Sequence, residues 1–271
     1  MNGLHEFPLI LFTVLAQVAA GAWLLLLFPV AGAFADKQRQ LQRSLWPILL
    51  FLAVGFAASI MHLGSPWRAF NSLNRVGQSM LSNEIACGAL FFALAGSYWL
   101  LALMEKMPKG LGRLWLPLSG LAGLAFMYVM NRVYHIPTVP TWDNLFTTFN
   151  FYLTVVLGGT ALAAPLLWRV GDKATLLPKL FLCGLGVAAI VAVYQGFEFA
   201  QLRTGVTSFA ALVPDYAYLT ALRLCLLAVA ACLLWRRKVG GAVVALCLTL
   251  LAEMIGRSLF YAMHMTLGTA F

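Results

Sequence analysis

The chain has 271 residues, 62% of them hydrophobic and only 10% charged, with a net charge of +9. A soluble domain carries about 25% charged residues, so the composition excludes one and indicates a chain that crosses a membrane repeatedly. The positive charge belongs to particular links between apolar segments, which excludes nucleic acid as a partner.

A helix needs about 20 apolar residues to span about 30 Å of hydrocarbon. Eight runs are long enough, near 8–33, 45–63, 83–104, 112–133, 148–169, 177–199, 217–235 and 240–266. The links between them are too short to form a core, so residues 1–271 read as a single polytopic domain. It is all-α, because barrel strands would alternate apolar and polar residues. The first run follows MNGLHEF, which is acidic rather than basic, and it is not expected to be a cleaved signal peptide.

Helix 1 carries one polar residue, Gln17, and helix 2 ends at Met61-His62-Leu63-Gly64. Ser65-Pro66 reads as an N-cap and first-turn proline. It opens a short interfacial helix with Trp67, Phe70 and Leu73 at helical spacing, which Gly77 can end. Ser82 then reads as the N-cap of helix 3, with Glu84 in the first turn. Helix 4 ends in Tyr128, Asn131, Arg132, Tyr134 and His135, and IPTVPTW follows as a stiff link with Trp142 as its interfacial anchor. Helix 6 ends with Tyr194, Gln195, Glu198 and Gln201, and helix 7 carries Arg223. In helix 8, Glu253, Arg257, Tyr261 and His264 fall within a sector of about 80° and form one polar stripe. His5 and His135 read as surface residues. A 4+4 arrangement, with helix 2 answering helix 6 and helix 4 answering helix 8, is conceivable, although no sequence echo supports it.

Twelve of the eighteen basic residues lie in the links after helices 1, 3, 5 and 7: Lys37, Arg39, Arg43, Lys106, Lys109, Arg113, Arg169, Lys173, Lys179, Arg236, Arg237 and Lys238. The positive-inside rule puts those links in the cytoplasm and both termini outside. The five cysteines lie within predicted helices without CxxC spacing, so they read as small packing residues between helices, and no metal site is expected.

Polar and ionisable residues crowd the outer halves of the helices, where their cost indicates a cavity with function. His62 can exchange protons near neutrality, and a carboxylate in a partly dry pocket such as Glu84 can be tuned to do so. Together they suit an amphiphilic substrate that loses protons as it loses electrons, such as a quinol, with Arg68 holding an oxygen. Simpler roles exist for each: Glu84 as a helix-dipole acid, His62 bonded to a backbone carbonyl, and Glu253–Arg257 as an i,i+4 ion pair. Arg223 and Glu198 read as interhelical pairing residues.

Several stretches carry a resemblance to a known family. They are His5-Glu6-Phe7-Pro8, His62-Leu63-Gly64-Ser65-Pro66, Arg68 to Arg75 (RAFNSLNR), Leu81-Ser82-Asn83-Glu84-Ile85, Thr138-Val139-Pro140-Thr141-Trp142, Leu212-Val213-Pro214-Asp215-Tyr216, and Ile255-Gly256-Arg257 with Phe260-Tyr261 and His264-Met265-Thr266. In this order the chain resembles the membrane anchor subunit of bacterial dimethyl sulfoxide reductase, apart from Phe7 where tryptophan is expected. The resemblance implies an eight-helix subunit of the bacterial inner membrane with both termini periplasmic. It would oxidise menaquinol from the quinone pool for anaerobic respiration. It would pass electrons to an iron–sulfur subunit and a molybdopterin catalytic subunit on the outer face. It implies that His62 and Glu84 belong to the quinol site; from the residues themselves, Arg68 reads as a further member and Arg257, Tyr261, His264 and Glu253 as supporting polar residues. No covalent cofactor and no haem are expected. The alternatives are a b-type haem anchor using His62 and His264, a transporter with Glu198, Glu253 and Arg257 lining its path, and a scaffold without quinol chemistry.

Overall fold

The computed structural model describes residues 6–32, 35–62, 71, 73–107, 109–203 and 208–266; the side chains of Ala35, His62, Lys109 and Arg113 lie outside that description. Eight of its helices are long and apolar enough to cross a membrane. They are α1 (Phe7–Gly32), the run Asp36–Met61 whose apolar part lies in α3 (Trp46–His62), α4 (Met80–Leu103), α5 (Lys109–Val133), α6 (Leu145–Arg169), α7 (Leu176–Ala200), α9 (Tyr216–Trp235) and α10 (Val239–Ala262). Among the described residues two short helices accompany them, α2 (Ala35–Arg43) and α8 (Phe209–Leu212). By sequence, α2 is only part of a link. Its residues, ADKQRQLQR, are too polar to enter the membrane and place Leu41 alone against the core.

The spans close into two groups of four. α1, α3, α4 and α5 pack in a ring, and α6, α7, α9 and α10 pack in a second ring with the same order of neighbours. The 4+4 arrangement is therefore present in the packing without an echo in the residues. α1 and α6 join the groups and form the centre of the molecule. They bury 78% and 89% of their most apolar stretches, while the other spans bury less than half of theirs.

Small residues allow that central contact. Lipid tails offer no hydrophobic driving force between helices, so association depends on close packing. A Cβ built on Gly159 would stand 2.5 Å from the Gly21 carbonyl carbon, and one on Gly21 would overlap the Val155 carbonyl oxygen. We expect Gly159→Leu to separate α1 from α6, at a cost of about 3 kcal/mol or more because backbone rather than a side chain must move. The loss of monodisperse protein in detergent, or a lowered thermal midpoint, checks this.

Polar contacts fix the two ends of the bundle. At the basic end, Lys37 Nζ meets Asp172 Oδ2 at 2.6 Å and links α2 to the α6–α7 turn. That hydrogen bond holds the Asp172 carboxyl below its usual range. Arg43 and Arg39 reach Glu105 at 3.3 and 4.0 Å. At the opposite end, Gly77 adopts φ +87°, a left-handed conformation suited to glycine, and ends a turn of 3₁₀ helix at 73–75. The rest of the expected interfacial helix, Ser65-Pro66 included, lies outside the described residues.

The start of α4 corrects the sequence reading. Ser79, not Ser82, is the N-cap, and the first turn of α4 contains no acidic residue. Asn83 Oδ1 reaches back to accept the Gly77 N–H at 2.6 Å, which draws the helix start three residues earlier than expected. Ser82 and Glu84 are both buried inside the helix.

Candidate functional site

Glu84 is 4% exposed, and its Oε1 has no hydrogen-bond partner among the described residues. A buried carboxyl without a donor is expensive, so such a group marks a place where a ligand or proton is expected. Two phenols stand near it. The hydroxyls of Tyr134, just past the end of α5, and Tyr261 on α10 lie 2.5 Å apart. Burial holds the Tyr134 phenol well above its usual value, with smaller contributions in the same direction from Tyr261 and Glu84. The Glu84 carboxyl is therefore within electrostatic reach of the pair. Rings surround the phenols: Tyr134 meets Trp142, Phe151 and Phe260 at centroid distances of 5.8, 5.2 and 5.4 Å. The result is a dry, ring-packed interior around the two hydroxyls, between the two four-helix groups and at the end opposite the basic links.

One turn along α10 the surroundings change. Arg257 Nη2 donates to Gln17 Oε1 on α1 at 2.6 Å, and its guanidinium carbon lies 3.7 Å from the Phe151 ring centroid. The aromatic face and the amide together accommodate the cation in the interior. Beyond it, Arg223 Nη2 lies 3.2 Å from both oxygens of Glu253, and Thr154 donates to Glu253 Oε2 at 2.5 Å. Asn150 Oδ1 accepts from Arg223 Nη1 at 3.2 Å, while Asn150 Nδ2 donates to Gln195 Oε1 at 3.0 Å. A cavity between α6, α7, α9 and α10 is lined by Asn150, Gln195, Thr220, Arg223, Glu253 and Arg257. Gly256 makes room for this arrangement, since a Cβ there would stand 2.8 Å from Arg223 Nε.

Comparison with known proteins identifies the fold's family. The model of the family described as "DMSO reductase anchor subunit (DmsC)" matches residues 1–263. The chain belongs to this anchor-subunit family. It is 52% identical to the C subunit of the anaerobic dimethyl sulfoxide reductase of Haemophilus influenzae over 272 residues, covering 98% of each protein. It is 47% identical to the anaerobic dimethyl sulfoxide reductase subunit YnfH of Escherichia coli K12 over 282 residues, covering 99% of this chain and 98% of the other. The C subunit of the anaerobic dimethyl sulfoxide reductase of the same organism is 43% identical, with the same coverage. The protein is thus a multi-pass membrane anchor of a dimethyl sulfoxide reductase, and an anchor subunit implies catalytic and iron–sulfur partner subunits.

In this anchor subunit the residues expected at the site divide into groups. Tyr261 bonds to Tyr134, and Glu84 acts electrostatically on that same phenol, which by sequence is only one of several polar residues at a helix end. Glu253 is paired, but with Arg223 on the neighbouring helix rather than with Arg257 one turn away. The i,i+4 ion pair is therefore absent, and the interhelical pairing expected of Arg223 is present. Glu198 is exposed, with no ion pair among the described residues. His264 rests its ring 4.6 Å from that of Trp142. His62 is the last residue of α3, and its side chain, like Arg68 and His5, lies outside the described residues.

Two further expectations are corrected. His135 is not a surface residue: its side chain is 12% exposed, with Nδ1 2.9 Å from Asp143 Oδ1 and Nε2 3.0 Å from Thr148 Oγ1. Nor do the cysteines pack between helices. Cys183, Cys225, Cys232 and Cys247 are exposed on the outside of the bundle, and only Cys87 is half-buried. In a membrane a thiol is apolar enough to face lipid.

Proposed function

We propose that this anchor subunit oxidises menaquinol at the pocket around Glu84 and passes the electrons to the iron–sulfur partner on the periplasmic side of the inner membrane. The observation that carries the reading is the buried Glu84 oxygen without a donor, within electrostatic reach of the ring-surrounded Tyr134–Tyr261 hydroxyl pair. The aromatic walls suit a flat quinol ring, and the carboxyl suits its hydroxyl. One quinol loses two electrons and two protons as it becomes quinone. Glu84 takes a proton from one hydroxyl and releases it to the outer water. His62 accepts the hydrogen bond of the other hydroxyl and takes up the second proton, and Arg68 holds an oxygen. Tyr261, Arg257 and His264 frame the pocket, whereas Glu253 is engaged by Arg223 and Thr154. The charge asymmetry of the links supports the orientation, with both termini periplasmic. The subunit carries no haem of its own in this reading.

His62→Ala tests it. We expect quinol-dependent reduction by the assembled complex to fall by about 10²–10⁴-fold, the usual contribution of a general base. Reduction driven by a viologen, which feeds the partner subunits directly, should persist. Unchanged quinol turnover in this variant would leave His62 without a part in quinol oxidation.

A further inference from the structure

The link between α5 and α6 is tied down along its underside. Thr141 Oγ1 donates to the Met263 carbonyl at 2.6 Å and accepts the Met265 N–H at 3.3 Å. The Trp142 indole N–H donates to the Phe260 carbonyl at 2.8 Å. Asn144 Nδ2 donates to the Pro140 carbonyl at 2.9 Å, and its Oδ1 caps α6 by accepting the Thr147 N–H at 3.2 Å. His135, held by Asp143 and Thr148, closes the near end. Pro137, Thr138 and Asp143 are left exposed on the upper side. Such a link is ordered before anything binds it.

Its underside also packs on the rings around the Tyr134–Tyr261 hydroxyl pair. The Trp142 ring stacks on Phe260 at 5.1 Å and meets Tyr134 and Tyr261 edge-on at 5.8 and 6.1 Å. Tyr134 is in turn within the electrostatic reach of Glu84. Two layers of rings, Trp142 and then the Tyr134–Tyr261 pair, thus lie beneath the exposed link.

We propose that residues 135–143 form the plate on which the iron–sulfur partner docks, and this rests on the quinol-oxidising reading above. Electron transfer weakens steeply with distance, so the partner's cluster must come close to the quinol. The link's Trp142 packs on Tyr134, and Tyr134 lies within electrostatic reach of Glu84. Each quinol oxidised delivers two electrons across that stack to the partner's cluster, and its two protons leave through the pocket's own groups. A surface already fixed by side-chain hydrogen bonds loses little conformational entropy on docking. It also bridges α5 and α6, one helix from each four-helix group, so a partner seated there braces the two groups together.

A photo-crosslinking amino acid at Thr138, with one at Ala210 on α8 for comparison, tests this in the whole complex. We expect the Thr138 derivative to crosslink to the iron–sulfur subunit. Failure of that subunit to co-purify with a Thr138 derivative that still accumulates in the membrane, while the Ala210 derivative retains it, supports the same placement. A complex that co-purifies intact and gives no crosslink from Thr138, whether or not Ala210 gives one, overturns it. The two readings separate cleanly. Loss of quinol turnover in Glu84→Gln without a Thr138 crosslink removes the docking plate alone. A Thr138 crosslink with full quinol turnover in Glu84→Gln removes the quinol site alone.

Discussion

Replacing Glu84 by glutamine is expected to reduce quinol-dependent turnover by about 10²–10⁴-fold, the range of a lost general base, while viologen-driven reduction by the same complex stays near its normal rate. Glutamine has the shape of glutamate and cannot take up a proton at neutral pH. The carboxyl's Oε1 accepts no hydrogen bond among the described residues, so the substitution breaks no bond at that atom. The amide occupies the same buried volume beside Tyr134 and Tyr261, and the fold has little reason to respond. A structural acid would behave differently. Were Glu84 only a helix-dipole residue, its replacement would cost a few tenths of a kcal/mol to about 1 kcal/mol and leave quinol turnover intact. The position of Glu84 already weakens that simpler role, because α4 begins at Met80 and its first turn is free of acids. Full quinol turnover in Glu84→Gln would rule out proton acceptance at this residue.

The parts of this molecule that are legible in the sequence depend on one segment at a time. The eight spans follow from run length and hydropathy, and Gly77 as a chain-reversing residue follows from its freedom at positive φ. The polar stripe of α10 follows from helical spacing. Partners across helices are not legible. Gln17 meets Arg257 from 240 positions away, and Tyr134 meets Tyr261 from 127. Periodicity says which face of a helix is polar and nothing about which helix it meets. The i,i+4 rule suggests Glu253–Arg257 for that reason, yet a neighbouring helix offers Arg223 with better geometry. The cysteines mislead in the opposite direction: rules drawn from water-soluble cores place thiols inside, whereas here the solvent is lipid and the core is filled by leucine, alanine and aromatic side chains.

Arg223→Met alone is expected to destabilise the protein more than the double replacement Arg223→Met with Glu253→Met. Glu253 is 2% exposed and Arg223 is 7% exposed, so removal of either leaves the other as an unpaired charge in the interior. In soluble proteins that costs about 3–5 kcal/mol, and replacing both partners by apolar side chains of similar volume is often neutral. The arginine variant also deprives Asn150 Oδ1 of its donor, and the glutamate variant deprives Thr154 Oγ1 of its acceptor. These secondary losses keep the double variant from full recovery, but the charge imbalance is gone. Thermal midpoints of the complex in detergent give the order: wild type highest, the double variant next, the single variants lowest. Quinol turnover in the surviving double variant carries the mechanistic weight. The Arg223–Glu253 pair lies between α9 and α10, while the Glu84 pocket lies on the other side of Arg257, against α4 and α5. Turnover near the normal rate would make the pair a fastener of the second four-helix group. A loss comparable to that of Glu84→Gln, in a double variant that is otherwise folded, would instead extend the proton-handling site across Arg257 into the second group.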